Sequence, residues 1–142
     1  MTAEKKQTPL RVLVTAGASG IGRVIAESFA KSGALLHICD IADAALNEVK
    51  TSNPDWGVSR CDVSDENQVI RLFEEAETSL GGLDVLINNA GIAGPTAGVE
   101  HISAADWRRT VDINLNGQFY CANCAVPLLK QSKNASIVCI SS

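Results

Sequence analysis

Apolar runs alternate with segments of helical period along this chain. Strand-like runs cover Leu10–Thr15, Ala34–Asp40, Trp56–Cys61, Leu83–Asn88 and Ser136–Ser141. Their alternation with helical segments implies a parallel sheet covered on both faces. Between the first two, Ile21, Val24, Ile25, Ser28 and Phe29 follow i, i+3, i+4, i+7, i+8 spacing and predict a helix that buries this face. Lys31-Ser32-Gly33 supplies a cation and a glycine to stop it. A later helix shows an apolar face at Val69, Leu72, Phe73, Ala76 and Leu80. Ser64 is its expected N-cap, with Asp65 and Glu66 in the first turn, and Gly81-Gly82 ends it. Ser103 opens the last helical region, with Asp106 in a capping-box-like position. That region runs through Asn114 to about Gln131, and Pro127 is an expected kink or break.

Strands alternating with helices predict an α/β fold, a Rossmann-like doubly wound parallel sheet. Right-handed crossovers leave the strand order 3-2-1-4-5 as the simplest arrangement. Residues 10–142 read as part of one domain, preceded by a polar, flexible lead-in over residues 1–9. The length of 142 residues and a hydrophobic content of 46% suffice for a real core.

Charge narrows the partners. The net charge of −4, with no cationic cluster beyond Lys5-Lys6 or Arg108-Arg109, argues against nucleic acid. No apolar run is long enough to span a membrane, and the start lacks the apolar stretch of a secretory signal. The cysteines, Cys39, Cys61, Cys121, Cys124 and Cys139, are odd in number and lie in apolar surroundings. They are expected to be reduced, buried thiols of a cytoplasmic protein. Cys121 and Cys124 have CxxC spacing, but inside a helical pattern and without a second ligand pair, so no metal site is expected. His37 and His101 have no partners at ligand spacing and read as structural or solvent-facing.

The chemistry concentrates at Thr15-Ala16-Gly17-Ala18-Ser19-Gly20-Ile21-Gly22, between the first strand and the first helix. Glycines permit a tight turn and let a phosphate approach the backbone. Free N–H groups of the first helical turn, near Ser19 to Gly22, then face a pyrophosphate, helped by the helix dipole. Asp40 closes the second strand, where a carboxylate accepts from ribose hydroxyls and repels a 2′-phosphate. The candidate cofactor residues here are Gly17, Ser19, Gly20, Ile21, Gly22, Asp40 and Ile41, and the expected cofactor is NAD rather than NADP. A structural glycine turn with a surface aspartate is the alternative.

With these residues in place, the chain resembles the short-chain dehydrogenase/reductase family. Thr15, Gly20 and Gly22 are in register with that family's TGxxxGxG loop. Asp62-Val63 resembles its adenine contact, and Asn88-Asn89-Ala90-Gly91 matches its NNAG motif, adding Asp62, Val63, Asn89, Ala90 and Gly91 to the cofactor residues. Asn114 matches its helical active-site asparagine, and Ser142, closing Ser136–Ser142, stands at the position of its catalytic serine. Two departures stand out. Ala16 replaces the usual first glycine, with Gly17 one residue on to keep the turn permissive. The YxxxK pair is expected on the helix after the last strand, and Tyr120, the sole tyrosine, has no lysine four residues on.

The resemblance implies an oxidoreductase that interconverts an alcohol and a carbonyl compound by hydride transfer to or from NAD. The chain is then its cofactor-binding part. Ser142 would hydrogen-bond the substrate oxygen, and Asn114 would help position a water through a helix distortion. Without the tyrosine and lysine, the 142 residues alone are expected to be inactive. The alternative function is a non-catalytic NAD-binding or assembly module. Ser142 can equally be a strand end, and the Ile92–Gly98 loop can border a substrate or be an inert connection. The resemblance also implies a homo-oligomer, a dimer or tetramer. The last strand is expected to be an edge that exposes Ile137, Val138 and Ile140, unless a further segment covers it.

Overall fold

The computed structural model describes residues 7–141. Five parallel strands form one sheet: β1 (Arg11–Thr15), β2 (Leu35–Asp40), β3 (Gly57–Arg60), β4 (Val85–Asn88) and β5 (Ser136–Cys139). Their order is β3-β2-β1-β4-β5, as the alternating pattern implies. Helices α1 (Gly20–Lys31), α2 (Asp43–Ser52), α3 (Glu66–Leu80), α4 (Ala104–Val111) and α5 (Gly117–Leu129) cover the sheet. The expected strands are each one or two residues too long, a difference confined to their ends. Residues 1–6 of the expected lead-in lie outside the described residues, and residues 7–9 belong to no regular element.

Burial explains the continuous apolar runs. On β1, Val12, Leu13 and Val14 are all fully buried, yet they face opposite ways. Leu13 packs with Cys39 and Leu86 against α3 and α5. Val12 and Val14 pack with Ile38 and Ile87 against the α1 and α2 side. β5 differs: Ile137 is 39% and Val138 44% exposed, as expected of an uncovered edge, but Ile140 is half-buried because it packs against the core.

The buried face of α1 is only in part the one the large apolar residues mark. Ile21 is 67% and Val24 65% exposed, and Ser28 is exposed as well. Gly22 and Ala26 are buried instead, with Ile25, Phe29 and Ala30 beside the core. The reason is steric. The start of α1 lies so close to the β1–α1 loop that a Cβ on Gly22 would stand 2.2 Å from the Ala16 carbonyl oxygen. Small residues therefore make the closest contact, and Ile21 and Val24 turn outward while Ile25 and Phe29 stay against the core. The stop signal operates as read: Gly33 has φ +90°, Gly33 N donates to Ala30 O, and Ala34 N to Phe29 O.

Three local expectations also change. Asp65, not Ser64, caps α3, with Oδ1 accepting from Gln68 N at 3.1 Å. Ser64 is drawn away because its amide and hydroxyl both donate to Asp62 Oδ1, at 3.0 and 2.7 Å. Pro127 does not break α5, which continues to Leu129. Only the carbonyl of exposed Asn123 forfeits a partner there, and water can satisfy it. Cys39, Cys61 and Cys121 are buried free thiols, but Cys124 is half-buried and Cys139 is exposed because β5 is uncovered. Burial pushes the Cys121 thiol well above its ordinary range, consistent with an inert packing thiol. Ser103 caps α4 as expected, accepting from Asp106 N at 3.0 Å.

His37 on β2 is structural. Its Nδ1 lies 2.6 Å from Ser79 Oγ and its Nε2 2.7 Å from Ser59 Oγ. Ser59 gives its proton to the Glu75 carboxylate, so it must accept from Nε2–H, and Nδ1 accepts from Ser79. Burial lowers the His37 pKa from 6.5 to about 4, against a smaller upward pull from Glu75. The unfolded chain therefore binds a proton more readily. The full contribution of neutral His37 to stability is present above pH 6.5 and is lost as pH falls toward 4. Urea unfolding should show a loss of roughly 2–3 kcal/mol between pH 7.5 and 4.5 beyond that of a His37→Gln variant. Equal pH sensitivity in the two proteins would contradict this assignment.

Candidate functional site

The residues of the glycine loop are held by a hydrogen-bonded strap at the carboxyl end of the sheet. Thr15 Oγ1 accepts from the amides of Asn89 and Ala90, each at 3.0 Å. Asn89 Nδ2 returns to the carbonyls of Thr15 and Ala16, at 3.1 and 3.2 Å. The end of β4 thus fixes the turn that leaves β1. Ala16 itself adopts the left-handed conformation, φ +49°, so the turn is made at a residue with a Cβ. Gly17 does not supply that freedom, contrary to expectation. It is needed for close packing, since a Cβ there would stand 2.9 Å from the Ile38 Cβ.

The start of α1 is prepared for an anion. Ser19 occupies the N-cap without a side-chain bond to the helix, and the first turn contains no acid. Its amides and the dipole are therefore not neutralised by the protein. Gly20 has φ +55° and open space where a side chain would stand. Asp40 is fixed opposite: Oδ2 accepts from Ala18 N at 3.2 Å, and Oδ1 from Ile41 N at 2.8 Å and Ala42 N at 3.2 Å. These contacts present an oriented acceptor beside a bare helix terminus, which fits the ribose and phosphate ends of a dinucleotide.

A cleft of about 200 Å³ opens between these elements, and Ser19, Asp40, Ile41, Asp62, Val63, Ala90 and Gly91 line it. Gly17, Gly20, Ile21, Gly22 and Asn89 do not line it; they form or brace the loop at its side. Ala16, Cys61, Ile92, Arg109 and Ile113 complete the wall, and of these Cys61, Arg109 and Ile113 were not evident as site residues from the sequence. Arg109 is the most consequential of these. Its Nη1 and Nη2 reach Asp62 Oδ2 at 3.3 and 3.2 Å, and Nη1 reaches Ser64 Oγ at 2.9 Å. Burial raises the Asp62 pKa, but Ser64 and Arg109 outweigh it and hold the carboxyl below its ordinary range. A larger open depression, about 870 Å³, lies at the opposite end of the sheet beside Arg11 and Asp84. Those two groups satisfy each other at 3.0 Å, and ligands of open α/β sheets bind at the carboxyl ends of the strands.

Asn114 sits in a π-helical turn, Asp112–Asn116, between α4 and α5. Such turns concentrate at functional sites. Its Oδ1 accepts from Ile92 N and its Nδ2 donates to Ile92 O, both at 2.8 Å. The side chain is thereby committed to bracing the loop that follows Gly91. Ser142 lies outside the described residues. Among the described residues, no group of three or more His, Cys, Asp or Glu side chains is placed to hold a metal. No helix among them is long and apolar enough to cross a membrane.

Comparison with known proteins joins these features. Residues 10–142 match the short chain dehydrogenase family. The chain is 38% identical over 134 residues to a cis-4-hydroxycyclohexanecarboxylate dehydrogenase of Sinomonas cyclohexanicum, covering 92% of this chain and 53% of that protein. It is 34% identical over 130 residues to the 2-dehydro-3-deoxy-L-rhamnonate dehydrogenase (NAD(+)) of a Sphingomonas species, covering 92% and 52%. The solved structure of ligand-free Thermoplasma acidophilum aldohexose dehydrogenase superposes with a TM-score of 0.83 at 34% identity, covering 94% of this chain and 49% of that one. The chain thus spans about half the length of the relatives it matches. Family match, sheet order and similarity to solved members agree: the chain belongs to the short-chain dehydrogenase/reductase family.

Proposed function

We propose that this chain is the cofactor-binding part of an NAD-dependent oxidoreductase that interconverts an alcohol and a carbonyl compound. The observation that carries this is the fixed Asp40 carboxylate facing the uncapped start of α1 across one cleft. Residues 10–142 form the N-terminal portion of a single dinucleotide-binding domain. Gly20, Ile21 and Gly22 present backbone to the pyrophosphate, and Asp40 with Ile41 receives the adenosine ribose. Asp62, Val63, Ala90 and Gly91 wall the adenosine side. NAD, when bound, supplies the hydride chemistry. Asn114 holds Ile92 and so shapes the loop beside the reacting end. Ser142 takes the role that the family resemblance assigns it, donating to the substrate oxygen. The names of the relatives support a small-molecule substrate.

The free cysteines favour a reducing, cytoplasmic setting. Exposed Leu115, Phe119 and Val126 on the π turn and α5 support pairing of this helix with a second copy in a homo-oligomer. Calorimetric titration with NAD and NADP tests the cofactor assignment. Saturable NAD binding, at least tenfold tighter than NADP, is the expected result. Absence of binding by either nucleotide would overturn it.

A further inference from the structure

We propose that Cys39 and Cys61 are a reversible redox site, and that a disulfide between them lowers the affinity of the cleft for its nucleotide. The second half of this statement rests on the reading of the cleft as a nucleotide site. The sheet brings the two thiols together. Cys39 pairs with Ser59 across β2 and β3, so Cys61, two residues further on, points to the same face. His37 and Ser59 stand in the same diagonal relation one step lower, and their side chains meet at 2.7 Å. The ladder continues past the end of β3, because Cys61 N donates to Asp40 O at 3.0 Å. Cys39 and Cys61 accordingly pack in one buried cluster, with their sulfurs in hydrogen-bonding contact.

The pair is reached from the cleft. Cys61 lines its wall, whereas Cys39 is fully buried behind it. The Cys39 thiol donates to Cys61, which outweighs burial and holds Cys61 below the ordinary thiol range; contact with Cys61 and burial raise Cys39. Cys61 is therefore the attacking group. The oxidant is a hydroperoxide, of which hydrogen peroxide is little larger than water. The Cys61 thiolate attacks the terminal oxygen: an S–O bond forms, the O–O bond breaks, and the departing oxygen takes up the Cys61 proton as an alcohol, or as water from hydrogen peroxide. Oxidation of Cys61 removes the thiolate that held the Cys39 proton. Cys39 then attacks the sulfenic sulfur: the S–S bond forms, the S–O bond breaks, and hydroxide leaves as water with the Cys39 proton. Two thiols lose two electrons and two protons, and one peroxide is reduced. Thiol exchange reverses the bond, as suits a transient disulfide in a reducing compartment.

The bond acts on the cleft because each thiol precedes one of its carboxylates. Cys39 precedes Asp40, and Cys61 precedes Asp62. The Cys39 carbonyl also accepts from Gly17 N at 3.0 Å, which ties the glycine loop to the same residue. Closing the sulfurs from contact to about 2.05 Å draws the turn after β3 toward β2. Asp40, Asp62 and the glycine loop then shift relative to one another around a cleft of only about 200 Å³.

The test treats the 142-residue protein with hydrogen peroxide, blocks the remaining thiols with iodoacetamide and maps tryptic peptides by mass. The expected product joins residues 32–50 to residues 61–71, is two hydrogens lighter than the separate peptides, and is undone by dithiothreitol. Calorimetry on the oxidised protein should show NAD binding weakened about tenfold and restored on reduction. Cys39→Ala, which has no resolving thiol, should bind NAD as the unaltered protein does and give dimedone-trapped sulfenic acid at Cys61 in place of the linkage. No linkage under peroxide that oxidises exposed Cys139, or a link from Cys61 to Cys121 instead, would overturn the proposal and leave the nucleotide reading standing. A linked protein with unchanged NAD affinity would overturn the coupling to the cleft. Reduced protein that binds no NAD would overturn the nucleotide reading and that coupling with it, while the peptide map still decides the thiol pair.

Discussion

Gly22→Ala is expected to weaken NAD binding by at least a hundredfold and to destabilise the fold by about 2–3 kcal/mol. The added methyl would stand 2.2 Å from the Ala16 carbonyl oxygen and 2.5 Å from Asn89 Nδ2. Neither is the free end of a flexible side chain. The first is backbone, and the second is held by the carbonyls of Thr15 and Ala16. Relief requires either withdrawal of α1 or release of the Asn89 strap. Withdrawal moves the helix amides from the proposed phosphate position, where about 1 Å of displacement is expected to cost on the order of a hundredfold. Release forfeits hydrogen bonds worth roughly 1 kcal/mol each, on top of the overpacking strain. Gly20→Ala is the control within the same loop. Nothing lies within 4 Å of its added Cβ, so its cost is the φ of +55°, roughly 1–2 kcal/mol. Urea unfolding and NAD titration of both variants read the difference. A Gly22→Ala protein that binds NAD within threefold of the unaltered one would refute the close-approach argument.

Gly22 also shows where sequence reading stops. The glycine loop, the sheet order and the acid after β2 are local or periodic signals, and all were legible. The buried face of α3 was legible too, because Val69, Leu72, Phe73, Ala76 and Leu80 are large and regularly spaced. On α1 the closest contact is made by Gly22 and Ala26, which carry no hydrophobic signal, so weighting by size added exposed Ile21 and Val24 to Ile25 and Phe29, which do pack beside the core. The N-cap of α3 was misread by one residue because Ser64 bonds to Asp62, a local competition that the preference for serine at caps does not reveal. Arg109 was hidden for another reason. Its partner is 47 residues away, and nothing in the pair Arg108-Arg109 shows which of them crosses to β3. Ala16 at φ +49° belongs with these: the loop keeps its path because Thr15, Asn89 and Ala90 hold it, not because every turn position is a glycine.

The other large effect belongs to Asp40. Its carboxylate accepts from the amides of Ala18, Ile41 and Ala42. Removing it does two things at once. It deletes the proposed acceptor for ribose hydroxyls, and it leaves three backbone donors converging on the vacated space. An acceptor edge becomes a donor nest, which is what a 2′-phosphate needs. The electrostatic term acts in the same direction. A carboxylate about 4 Å from a phosphate charge costs about 4 kcal/mol at an effective dielectric of 20. Water and counter-ions at the cleft mouth reduce this, so Asp40→Ala should shift the NAD/NADP affinity ratio by about 10²- to 10³-fold toward NADP. Asp40→Asn separates the two effects. It keeps an acceptor oxygen of similar reach and loses the charge, so NADP binding should improve while NAD binding falls by no more than about tenfold. Titrating both nucleotides against the three proteins at one ionic strength gives the ratios directly. NADP affinity that stays the same in both variants would remove the carboxylate from cofactor selection, even if NAD binding weakened. That pattern would leave Asp40 only as the support of the turn after β2.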